Sequence, residues 1–106
     1  MHEPRNRSIR PECLMPHSEA WPTPTGDEVA ELMRLAGFSG SETANAVGLK
    51  KNGPRTVRKW VGNEAEIPYA VWALLCSFAG LGEIWKGNVN PRLIHHENLR
   101  GPGYYK

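Results

Sequence analysis

The sequence predicts an all-α chain: a compact domain of four to five helices, carried between extended N- and C-terminal arms. Three observations point there. Apolar residues concentrate between Val29 and Trp85, and much of that stretch carries a helical period closed by glycine. Five of the nine prolines precede Thr25. The last twenty or so residues are rich in Gly, Pro, Asn and charge. The expected organisation is therefore a Pro-rich arm over 1–24, a helical domain over 25–82 and a C-terminal arm over 83–106. A core of roughly 60 residues is marginal alone, so oligomerisation or ordered tails would help it.

In the N-terminal arm, Arg5, Arg7 and Arg10 are balanced by Glu3, Glu12 and Glu19, the pattern of a solvated tail; contact with nucleic acid is the alternative. Proline at this density disfavours helix and sheet. Leu14, Met15 and Trp21 are the residues able to pin parts of the arm onto the core. The first helix opens at Thr25-Gly26-Asp27-Glu28, a capping box that also places carboxylates at the positive helix end. Val29, Leu32, Met33 and Ala36 then recur at i, i+3, i+4 and i+7, and Gly37 ends the run. Ser39 caps a short second helix through Glu42, Thr43, Ala44 and Val47 to Gly48, where small Ala44 and Ala46 let another helix approach closely.

After a six-residue connection, Pro54 opens the third helix and Gly62-Asn63 stops it. This helix has two chemically opposite faces. Val57, Trp60 and Val61 form a core-facing stripe, and Arg55, Arg58 and Lys59 repeat the same spacing about 200° away. With Lys50 and Lys51, the stretch from Gly48 to Val61 carries five of the chain's thirteen basic residues, and no carboxylate falls between Thr43 and Asn63. The net charge is only +2, so it is this local distribution that favours an anionic partner.

Ile67-Pro68 introduces a fourth helix from Tyr69 to Ala79, in which Ser77 is the one strongly polar side chain. A helix apolar all round must be covered on more than one side. Trp72 and Trp85 are therefore expected at a contact with a second subunit; coverage by the chain's own tails is the alternative. From Glu83 the pattern dissolves. Leu93-Ile94 and Tyr104-Tyr105 leave an arm crossing to a partner, a short strand or hairpin, and disorder all open.

The segment from Phe38 to Leu49 resembles the second helix and turn of the Cro and lambda-repressor-like (XRE-type) helix-turn-helix family. The residues that carry the likeness are Phe38, Ser39, Ala44, Gly48 and Leu49. Thr56-Val57-Arg58-Lys59-Trp60 resembles that family's recognition helix, and the likeness extends over about Thr25 to Gly80. It implies that the helix around 54–61 enters the major groove of double-stranded DNA. Base contacts would then come from Arg55, Thr56, Arg58 and Lys59, and phosphate contacts from Ser39, Lys50, Lys51 and Asn52. The turn departs from the family by about three extra residues, with Lys50, Lys51, Asn52 and Gly53 interposed. Pro54 also removes a backbone N–H that could meet a phosphate.

The resulting expectation is a cytoplasmic transcriptional regulator, a repressor, binding DNA as a homodimer. A protein-interaction adaptor or inhibitor on the same scaffold is the alternative, and RNA binding a weaker third. No enzyme activity, cofactor, metal or small-molecule ligand is expected. His95, His96 and Glu97, or Cys13 and His17, lack the paired spacing of structural zinc sites and read as tail histidines and an arm cysteine. Cys76 reads as a small buried hydrophobe. There is no secretory h-region and no apolar run long enough to span a bilayer.

Overall fold

The computed structural model describes residues 8–89. Expectations for Arg5, Arg7, Leu93-Ile94, His95, His96, Glu97 and Tyr104-Tyr105 lie outside those residues. Within them the chain forms four α-helices and one small antiparallel hairpin: α1 (Gly26–Ala36), α2 (Gly40–Ala46), α3 (Gly53–Val61), α4 (Tyr69–Phe78), then β1 (Gly82–Glu83) and β2 (Asn88–Val89). The fold is thus mainly helical, and the all-α expectation is corrected by the hairpin, in which Gly82 pairs with Val89 and Glu83 with Asn88. α2 packs on α3, and α1 lies against both α3 and α4.

Local chemistry sets the helix ends. Thr25 and Ser39 each form a complete capping box, with Glu28 and Glu42 as the reciprocating residues. At the other ends, α1 and α2 close through paired bonds typical of a left-handed cap. Gly37 N–H meets Arg34 O and Phe38 N–H meets Met33 O; Gly48 N–H meets Asn45 O and Leu49 N–H meets Ala44 O. The core joins Val29, Leu32 and Leu35 of α1, Ala44 of α2, Val57 and Trp60 of α3, and Trp72, Ala73, Leu75 and Cys76 of α4.

The described part of the N-terminal segment is a folded strap rather than an extended arm. Ile9, Cys13 and Leu14 are buried, the last two in a 3-10 turn (Pro11–Leu14). Proline blocks longer helices but leaves single apolar side chains free to be buried. The strap is tied at three places. Arg10 donates from Nε and Nη2 to the Glu28 carboxylate, both at 2.8 Å. The indole N–H groups of Trp21 and Trp72 both donate to the Cys13 carbonyl, at 3.1 and 2.9 Å. Tyr69 Oη donates to the Met15 carbonyl at 2.9 Å, and its ring meets those of Trp21 and His17 edge-on.

Three expectations change accordingly. Arg10 is committed to Glu28 and is not a free DNA-binding arginine. Cys13 is wholly buried, its thiol 3.7 Å from the Glu28 carboxylate, and burial first, then that carboxylate's charge, pushes its pKa up to about 12. Trp72, expected at a subunit contact, is 0% exposed and enclosed by its own chain, because the strap supplies the second layer over α4. Trp85, by contrast, is 44% exposed on the 3-10 turn (Ile84–Lys86) that links the two strands.

Candidate nucleic-acid interface

α3 separates its faces as the periodicity predicts. Gly53, Val57 and Trp60 are buried, Val61 is half-buried, and Arg55, Arg58 and Lys59 are exposed. Thr56 sits at the border, half-buried, with Oγ1 donating to the Asn52 carbonyl at 3.2 Å. The helix begins at Gly53, one residue before Pro54, which takes the second position. This start requires glycine for a reason of contact. A Cβ on Gly53 would lie 2.8 Å from the Ala44 Cβ and 3.1 Å from the Leu49 Cβ. The α2–α3 crossing is therefore as close as two small residues allow.

The turn between the helices, residues 47–52, leaves α2 through Gly48 (φ 81°) and enters α3 through Asn52, also left-handed at φ 57°, ψ 29°. Asparagine tolerates that region better than most side chains do. Lys50, Lys51 and Asn52 are all exposed. Asn52 offers no side-chain cap to α3; its carbonyl accepts the Thr56 N–H at 3.0 Å. Ser39 is exposed too, but its N–H donates to the Glu42 carboxylate at 2.8 Å and its Oγ accepts from the Glu42 N–H at 3.1 Å. That carboxylate makes Ser39 a poor place for a phosphate.

The charge arrangement is the most informative property of the surface. Eight lysines and arginines fall within the described residues. The three outside the α3 region are each paired: Arg10 with Glu28, Arg34 with Glu31, and Lys86 with Glu83. Among the described residues, Lys50, Lys51, Arg55, Arg58 and Lys59 have no ion pair. Mutual repulsion among five like charges costs stability unless a polyanion neutralises it.

One device that sequence reading did not find aims the helix. Asn63 closes α3 in the left-handed conformation (φ 62°), its N–H meeting Trp60 O at 3.2 Å and the Glu64 N–H meeting Lys59 O at 2.8 Å. Its Oδ1 accepts the Gly26 N–H at 2.8 Å, so one asparagine ends α3 and satisfies an open donor at the start of α1. Gly26 has no room for a side chain, because a Cβ there would collide with the Val61 carbonyl. The only sequence signal was Gly62-Asn63 as a stop; nothing local announced the bond to a residue 37 positions away.

Two curated relatives bear on the family. Both are named transcriptional repressor protein KorC, from Escherichia coli. One is 56% identical over 79 residues, covering 74% of this chain and 92% of the relative. The other is 54% identical over 80 residues, covering 76% and 93%. No family model and no solved structure matches the chain. At that identity, over nearly the whole length of both relatives, the chain belongs to the KorC family of transcriptional repressors.

Proposed function

We propose that the protein represses transcription by binding double-stranded DNA sequence-specifically, with α3 in the major groove in the manner of Cro and lambda-repressor-like helix-turn-helix domains. The observation that carries this reading is the contrast, among the described residues, between five unpaired cations in residues 48–61 and the three paired ones outside that stretch. A solvated helix face would need no such segregation. Arg55, Arg58 and Lys59 read base edges, the arginines suited to guanine O6 and N7 through two parallel hydrogen bonds. Lys50, Lys51 and the Asn52 amide, set on the long turn, take phosphates. Ser39 is left out of this set because Glu42 occupies its N–H.

The active species in this reading is a homodimer on an inverted repeat, with half-sites about one helical turn or a multiple apart. Leu74 (40% exposed) and Phe78 (49%) stand one turn apart on α4, and Trp85 lies beyond the helix end, exposed on the hairpin's turn. The three side chains carry no charge, so a polyanion gains nothing from them. A second copy is the occupant this reading assigns, because one nine-residue reading helix spans only a half-site.

Selection of bound duplexes from a random pool tests the whole reading. An inverted repeat is the expected product. On that site Arg55→Ala should cost about 1–3 kcal/mol and relax one position. Lys51→Ala should weaken all sequences alike and reduce the salt slope by about one. Salt-insensitive binding unaltered by either substitution overturns the assignment.

A further inference from the structure

The tether on Thr56 restricts how that residue can take part in base reading. Its hydroxyl has one proton, and the structure spends it on the Asn52 carbonyl at 3.2 Å. The same carbonyl accepts the Thr56 N–H at 3.0 Å and belongs to a residue fixed in the left-handed conformation. Thr43 makes the corresponding bond to Ser39 O at 2.8 Å, but it is wholly buried. Thr56 makes it at the surface, about 60° round the helix from Lys59, on the border between the basic face and the Val57–Trp60 stripe. A hydroxyl turned back on its own helix cannot donate to guanine O6 or N7, or to thymine O4. What is left to meet a ligand is the γ-methyl, and the oxygen as an acceptor only.

The major groove displays one apolar group, the C5-methyl of thymine. We propose that Thr56 recognises thymine through methyl–methyl contact, and that this, rather than a hydrogen bond, is its contribution to specificity. The inference rests on α3 being the reading helix and adds the base class and the group that reads it.

Deoxyuridine, which lacks only the C5-methyl, is the probe. On the selected site, each thymine is replaced singly by deoxyuridine, and affinity is measured for the unaltered chain, Thr56→Val and Thr56→Ser. One thymine in each half-site should be sensitive, its replacement costing the unaltered chain about four-fold for one methyl buried. Thr56→Val, which keeps a methyl and loses the hydroxyl, should retain both affinity and that sensitivity. Thr56→Ser, which keeps the hydroxyl alone, should bind thymine and deoxyuridine sites equally. Circular dichroism melts establish that both variants remain folded. Loss of binding by Thr56→Val with Thr56→Ser unaffected overturns the proposal, since it makes the hydroxyl an acceptor from adenine N6 or cytosine N4. Indifference to deoxyuridine at every thymine overturns it equally. A chain that selects no duplex at all fails earlier, at the assignment of α3, before any thymine is altered.

Discussion

Replacing Glu28 by Gln tests how the strap is held, with a magnitude the structure supplies. The Glu28 side chain is 4% exposed and gathers donors from two segments. Arg10 contributes Nε and Nη2 at 2.8 Å and its own N–H at 2.9 Å, and Thr25 adds its N–H at 2.8 Å. Burial acts to raise the carboxyl pKa, but the bonds from the Arg10 side chain, the Arg10 amide and the Thr25 amide together outweigh it. The net effect lowers the pKa from 4.5 to about 2. A lowered carboxyl pKa means stability fully present above about pH 4.5 and lost as pH falls towards 2. At 1.36 kcal/mol per pH unit between the two values, this is about 3 kcal/mol. It is a ceiling, because the Arg10 side chain is 45% exposed and water screens its share. Urea unfolding from pH 7 to pH 2 is the assay. Glu28→Gln should begin about 2–3 kcal/mol less stable at neutral pH, and should lose less than the unaltered chain as acid is added. Parallel stability curves for the two proteins would refute the argument, since the carboxylate would then have the same pKa folded and unfolded.

Three further outcomes follow from contacts. Gly26→Ala drives a Cβ into the Val61 carbonyl and should cost about 3 kcal/mol or more in thermal melts; Gly40→Ala, whose Cβ meets nothing within 4 Å, should leave stability unchanged or raise it by up to ~1 kcal/mol. Gly53→Ala should push α2 from α3 and weaken DNA binding, and combining it with Ala44→Gly should recover part of the loss, read as a coupling term in a double-mutant cycle. Phe78→Glu should shift sedimentation from dimer to monomer with little change in the monomer's own unfolding, because nearly half of that side chain is already in water.

What was legible in the sequence is what a few neighbouring residues decide. Thr25 with Glu28 and Ser39 with Glu42 are reciprocal contacts across three positions, and Gly37 and Gly48 end helices through backbone conformation alone. The two faces of α3 follow from the 3.6-residue period, which puts Val57 and Trp60 inside and Arg55, Arg58 and Lys59 outside. The strap is legible only in part, through Leu14 and Trp21 as residues able to pin it to the core. Ile9, Cys13 and Leu14 have no period, and what fixes them comes from Glu28 and Trp72, 18 and 59 positions away from Arg10 and Cys13. Glu28 caps α1 as the Thr25-to-Glu28 spacing predicts. That the same carboxylate also receives Arg10 depends on tertiary placement.

The strap also changes how α4 should be understood. An almost uniformly apolar helix invited a subunit interface around Trp72, yet Trp72 is covered by the chain's own Cys13 carbonyl and neighbours. Subtracting that coverage leaves a smaller face, Leu74 and Phe78, with the Phe38 ring 5.7 Å from that of Phe78. The described surface thus holds two kinds of unsatisfied area, one cationic on α3 and its turn, one apolar on α4 and Trp85. Water tolerates neither as well as a partner would. α1 packs against both helices, and its first residue is bonded to Asn63 at the end of α3. The angle between the cationic face and the apolar face is therefore set by a helix packed against both rather than by a loop. In a two-fold assembly through α4, that fixed angle would determine the separation of the two reading helices, and with it which half-site spacings the repressor accepts.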